Sequence, residues 1–119
     1  MKAVAIALVA VALIAGCGGS AQAQPAGSIK VSLSEFKFEP GALSAPSGKV
    51  VFYLVNSGTQ AHNLIILDNA KHKVKASELV AAGDASVFTV DNIAAGTYTI
   101  ICDQQGHEAS GMKGTLTIS

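Results

Sequence analysis

From Ile29 onward the chain alternates between apolar and polar positions. Ile29, Val31 and Leu33 are apolar while Lys30, Ser32 and Ser34 are polar, the period of two that marks a half-buried strand. Phe36 and Phe38 read as its continuation. Lys49 to Asn56 (KVVFYLVN) is a longer apolar run bounded by Ser47-Gly48 and Ser57-Gly58, the pattern of a strand packed on both faces. Further β-rich segments cover His62 to Leu67, Ser86 to Val90, Gly96 to Cys102 and Gly114 to Ile118. Each is closed off by the Gly, Asn or Asp residues that favour turns. Six or seven short strands so spaced predict an all-β fold, a Greek-key sandwich or barrel. One segment, Lys73 to Ala82 (KVKASELVAA) ahead of Gly83, has helix-forming composition and is the one place for a short helix. No internal repeat is visible.

The N-terminal stretch follows another pattern. Lys2 precedes an uninterrupted apolar run of 13 residues, Ala3 to Ala15, which matches the charged and apolar regions of an export signal. A membrane span needs about 20 such residues, so the run is short for one. Ile14-Ala15-Gly16-Cys17 follows, which resembles the lipobox of bacterial lipoproteins; there the Cys17 thiol would carry lipid and become the mature N-terminus. A competing site, Ala21-Gln22-Ala23, would release a soluble chain starting at Gln24. The anchor is the preferred reading because a Cys stands where the apolar run ends. Residues 1–16 are then signal, 17–27 a flexible Gly, Ser, Ala and Gln tether, and 28–119 the folded domain. The expected location is outside the cytoplasmic membrane, lipid-anchored or periplasmic, by peripheral attachment.

Composition narrows the function. The 119 residues are 50% apolar and 13% charged, with Lys+Arg 8 against Asp+Glu 8 and no Arg. That is a single folded domain, not a disordered chain. It lacks the basic surface that phosphate recognition needs, which argues against nucleic acid as a partner. If Cys17 is lipidated, Cys102 has no second Cys to pair with. It is then either a small buried hydrophobe or a thiol with a task.

The segment from Gly96 to Ser119 reads GTYTIICDQQGHEASGMKGTLTIS. Between its two strands, Cys102, His107 and Met112 recur at intervals of five, an offset that a loop can gather to one point and a helix would splay apart. His62 stands at the start of another strand, where it can face that loop. One thiolate, two imidazoles and one thioether make the donor set of trigonal blue-copper electron-transfer centres, in which Met is the weak axial ligand. Zinc is disfavoured because structural zinc sites use Cys and His without Met. His72, between Lys71 and Lys73, reads as solvated and without a role.

These residues, together with Phe36-Lys37-Phe38-Glu39-Pro40, Asn56-Ser57-Gly58, His62-Asn63, Gly96-Thr97-Tyr98 and Gly111-Met112-Lys113-Gly114, resemble the cupredoxins over roughly residues 28–119. The likeness is to small plastocyanin- and azurin-type members, with the ligand-loop spacing of auracyanin-like ones. The resemblance implies one type 1 copper ion held by His62, Cys102, His107 and Met112. It also implies an Asn63 side chain that bonds the Cys loop across the site, and an Ala61 carbonyl on the far axial side. Gln104-Gln105 departs from the apolar residue and Pro that many relatives carry before their Gly-His pair.

The expected function is one-electron transfer by a monomer, with His107 as the electron's exit at the surface. Redox proteins such as cytochromes or a membrane oxidase are the expected partners, docking by local fit because Asp103, Glu108 and Lys113 mix signs around the loop. An enzyme is not expected: further catalytic coppers need several more His, and a Cys engaged as metal ligand is not free to attack a substrate. Two alternatives remain at this level, a copper storage or delivery protein and a metal-free Ig-like binding lipoprotein.

Overall fold

The computed structural model describes residues 22–119. The signal segment and Cys17 lie outside them. Nine strands run in chain order: β1 (Ile29–Ser34), β2 (Lys37–Glu39), β3 (Ala42–Ala45), β4 (Gly48–Asn56), β5 (Ile65–Leu67), β6 (Lys73–Ala76), β7 (Ala85–Ile93), β8 (Gly96–Ile101) and β9 (Lys113–Ile118). They form two mixed sheets, one ordered β2-β1-β4-β7 and the other β3-β9-β8-β5-β6. β1 runs parallel to β4 and β3 parallel to β9, while the other pairs are antiparallel. The all-β sandwich expected from the alternation is the observed architecture.

Alternation places the core between the sheets. On β4, Val50, Phe52, Leu54 and Asn56 point inward and are buried, while Val51, Tyr53 and Val55 on the other face are half-buried. The apolar run therefore has one dry face, not two. Phe52 stacks on Phe88 of β7 with ring centroids 5.8 Å apart, and Leu33, Leu64, Ile100 and Leu116 close around them. Burying each such side chain contributes about 1.5–3 kcal/mol, so the sandwich is a stiff support for whatever its loops carry.

Four further expectations change. Phe36 and Phe38 do not extend β1; the chain turns at Glu35-Phe36 and β2 folds back antiparallel, with Ser34 opposite Lys37. The reason is phase: Ile29, Val31 and Leu33 occupy odd positions and the two Phe even ones, and one uninterrupted strand would put them on opposite faces. No helix forms over Lys73–Ala82. Its first four residues are β6, exposed at every position and paired to β5, because an edge-strand register outweighs weak helix propensity. β5 is also shorter than expected, since His62 stands outside it in an isolated bridge to Val80. Finally, residues 22–27, read as flexible tether, are tied down at Gln22. Its carbonyl accepts from the Tyr53 hydroxyl at 2.6 Å, and its Oε1 accepts the Val87 N–H at 2.9 Å, covering a donor on edge strand β7.

Candidate metal centre

One wall of the site is the turn that leaves β4. Asn56, 1% exposed, donates from Nδ2 to the carbonyls of Gln60 (2.7 Å) and Val80 (2.9 Å) and accepts the Gly58 N–H at 2.9 Å. A short amide side chain suits this work because it supplies both donors and an acceptor. The turn then delivers His62, whose N–H and C=O both bond Val80 (3.1 and 2.8 Å). His62 is 0% exposed. Ala61, just before it, is half-buried.

The other wall is the loop between β8 and β9. Cys102 directly follows β8, a strand flanked on both sides, and is fully buried. The loop closes on itself: the Cys102 N–H donates to the Met112 carbonyl (3.2 Å), Met112 N–H to the His107 carbonyl (3.0 Å) and His107 N–H to the Gln104 carbonyl (3.0 Å). Gly106 (φ 81°) and Gly111 (φ 109°) precede His107 and Met112 in the left-handed region that favours glycine. Met112 is fully buried. Gln104 is half-buried and Gln105 exposed.

These walls converge on three atoms. His62 Nδ1 and His107 Nδ1 are 3.1 Å apart, and the Cys102 Sγ lies 3.5 Å from the second and 4.0 Å from the first. All three residues are buried, and as a group they can hold a metal ion. The circle through the three atoms has a radius of about 2.1 Å, against bonds of about 2.0–2.1 Å for imidazole nitrogen and about 2.3 Å for thiolate in zinc sites.

The outward nitrogens explain why the inward ones are free. His62 Nε2 lies 3.2 Å from Glu35 Oε1, which also accepts the N–H groups of Thr59 (2.8 Å) and Gln60 (2.7 Å). The Gln60 N–H, with smaller help from the N–H groups of Glu35 and Thr59 and from His62, lowers the Glu35 pKa from 4.5 to about 2 against the opposing effect of desolvation. The ionised carboxylate can only accept, so the His62 ring donates to it from Nε2. His107 Nε2 likewise donates to Gln60 Oε1 at 2.9 Å. With both outer nitrogens engaged by acceptors, the two Nδ1 atoms are the ring positions turned inward toward the Cys102 sulfur.

Asn63, 8% exposed, joins the walls. Its Nδ2 donates to Asp103 Oδ1 at 2.7 Å and its Oδ1 accepts the Asp103 N–H at 3.1 Å. His107 keeps 6% of its surface, with Phe36 edge-on at 5.1 Å, so it reaches the surface only by a narrow edge. His72 is remote from this group: its side chain is 81% exposed and stands 3.6 Å from Asp68. Sequence reasoning missed Glu35, Gln60 and Asn56 as parts of the site. The phase slip at Glu35-Phe36 was the available signal, since it marks a turn that projects residues past the end of the sheet.

The chain matches the family described as "Cupredoxin-like domain" over residues 5–118, and it belongs to that family. Among solved structures, auracyanin B is similar at 26% identity, covering 86% of this chain and 96% of that one with a TM-score of 0.69. Dithionite-reduced auracyanin from Roseiflexus castenholzii is 20% identical over 77% of this chain and 96% of its own, with a TM-score of 0.70. Auracyanin A from Chloroflexus aurantiacus, described as a "blue" copper protein, is 21% identical over 78% and 100%, with a TM-score of 0.66. No curated protein sequence matches the chain.

Proposed function

We propose that this protein is a one-electron carrier that holds a single copper ion at His62, Cys102 and His107, with Met112 as the weak fourth donor. The observation that carries this reading is the triangle of two imidazole nitrogens and one sulfur, closed at bonding radius among buried residues. A copper ion bound there supplies reversible one-electron chemistry between its +1 and +2 states. The chain's own residues hold the donors still. Glu35 and Gln60 fix the two ring orientations, the Asn63–Asp103 pair locks the Cys loop, and Phe36 covers the His107 edge. Donors that do not move between charge states keep the reorganisation small.

His107, at the rim, is the exit for the electron. Docking of a redox partner, a cytochrome or a membrane oxidase, then takes place around Gln60, Phe36 and Gln105. The Auracyanin A description as a "blue" copper protein supports the same chemistry here. Export and anchoring complete the reading, with the domain outside the cytoplasmic membrane on a lipid at Cys17. Mass spectrometry of the membrane fraction should find lipid on Cys17; an unmodified chain beginning at Gln24 would replace anchoring with release.

Copper(II) added to the purified apo-protein should give an intense visible band from a copper–thiolate bond, and voltammetry a reversible couple. Absence of the band refutes the assignment. Rapid loss of copper to a chelator, without a reversible couple, would identify storage or delivery instead.

A further inference from the structure

Glu35 sits in a cradle made for its carboxylate. One oxygen, Oε1, receives the Thr59 N–H, the Gln60 N–H and the Nε2–H of the fully buried His62. Gly58 forms the floor. A Cβ at position 58 would stand 2.6 Å from both carboxylate oxygens and 2.9 Å from Cδ, so any larger residue fills the place the carboxylate occupies. The Asn56 side chain holds this turn in shape through Gly58 N–H and Gln60 C=O. The side chain of Glu35 is 25% exposed, yet a surface carboxylate free to choose water has been given three donors. Two of the donors tie the β1–β2 turn to the turn that follows β4, and the third is the ring of His62. What the arrangement accomplishes is felt at His62.

We propose that Glu35 is a positioning residue for the metal-binding His62, and that Gly58 is kept small to seat it. The inference rests on the copper reading above and deepens it. The carboxylate acts through His62 in two ways. It holds the ring proton on Nε2, which leaves Nδ1 as the donor, and it fixes the ring plane. It also brings a negative charge to the far side of the ring, which favours the more highly charged copper(II) over copper(I). His107 has no equivalent, because its outer nitrogen meets the uncharged amide of Gln60. The charge is therefore applied through the buried histidine alone.

Three variants separate these effects. Glu35→Gln keeps an acceptor oxygen and removes the charge; Glu35→Ala removes both. Gly58→Ala leaves the carboxylate in the chain but evicts it, and the eviction is gentle because the displaced atoms are the free end of a flexible side chain. The Thr59 and Gln60 N–H groups released in Glu35→Ala lie on exposed residues where water replaces the lost acceptor. Apo-protein melting curves verify folding in each case.

The first readout is the His62 tautomer in 15N-labelled apo-protein by NMR. The wild type and Glu35→Gln should show a single Nε2–H form, and Glu35→Ala and Gly58→Ala a mixture. The second is the potential of the copper-loaded protein. Glu35→Ala and Gly58→Ala should each shift the ratio of copper(II) to copper(I) affinity at least tenfold toward copper(I), a rise of about 59 mV for one electron. Glu35→Gln should give part of it. The double variant Glu35→Ala/Gly58→Ala should show no further rise, since both remove one interaction. An unchanged tautomer in Glu35→Ala, or additive shifts in the double variant, overturns the proposal. If the wild type takes up no copper, it is the copper reading that fails, while the apo tautomer still decides whether Glu35 positions His62.

Discussion

His62 and His107 offer the same atom to the same point, yet the chain secures them by different means. His62 has no exposed surface, bonds Val80 through both backbone groups, and donates its outer proton to a carboxylate seated in its own turn. His107 belongs to an eleven-residue loop closed by its own hydrogen bonds, keeps 6% of its surface, and donates to the side chain of an exposed glutamine. One side is framed by the sandwich and charged; the other is a self-supporting loop with a neutral cap at the rim. A carrier needs both, a donor that does not move and a donor that a partner can approach.

The largest effect should come from the group the two sides share. Cys102 is buried and is the only Cys among the described residues. Cys102→Ser, close in shape but too hard an oxygen to replace thiolate, should abolish the visible band while the sandwich stays folded. It should also abolish stabilisation by copper, which for a ligand of the native state alone is about 2.7 kcal/mol at a hundredfold excess over Kd. Spectra and melting curves with and without copper check this; a persisting band would remove Cys102 from the site.

The next variant parts the two sides without touching a donor. Asn63→Ala deletes both hydrogen bonds to Asp103, each contributing about 0.5–1.5 kcal/mol. For a domain of this size each kcal/mol moves Tm by about 4–8 °C. Copper affinity should fall about 10–100-fold, the usual cost of losing a partner that orients a metal site. Calorimetry and copper titration read these separately. An unchanged affinity with a lowered Tm would reduce Asn63 to a structural tie.

Met112→Leu tests the fourth donor. The exchange nearly conserves volume, and its stability cost should stay below about 1.5 kcal/mol. Loss of a weak thioether donor should cost copper(II) more than copper(I), so the potential should rise, by about 59 mV for each tenfold change in relative affinity. Met112→Gln, with a harder oxygen, should lower it. A potential unmoved in both variants would make Met112 core packing alone.

Much of this contrast is legible in the sequence, but unevenly. The spacing of Cys102, His107 and Met112 draws attention to the loop because all three lie within one short connection, where sequence distance limits spatial distance. Asn63 entered through family resemblance. Glu35 and Gln60 escape because their partners lie 27 and 47 positions away; the phase slip marks the turn at Glu35-Phe36 but not what its side chains reach. The same holds for β3: Ala42–Ala45 carries little pattern, and it becomes a strand by parallel pairing with β9, with Leu43 opposite Leu116. β6 shows the reverse, since Lys73 to Ala82 suggests a helix locally and the register of its first four residues with β5 decides otherwise.

The smallest expected effect is the one that most sharpens the comparison between the histidines. Gln60→Ala removes the cap on His107 Nε2 but leaves the Gln60 N–H that Glu35 accepts and the Gln60 carbonyl that Asn56 bonds, because both are backbone groups. The turn should therefore keep its shape. The lost partner is an exposed side chain, and water can take the His107 proton's bond in its place, so the stability change should lie within about 0.5 kcal/mol. The visible band should persist. The potential should move less than in Glu35→Ala, since a neutral amide is lost and not a charge. Electron exchange with a small-molecule oxidant should quicken, because the rim above His107 becomes more open. Stopped-flow oxidation beside voltammetry measures both. A shift in potential equal to that of Glu35→Ala would mean that the two histidines are held alike, and the division between a charged, fixed side and a neutral, accessible one would be wrong.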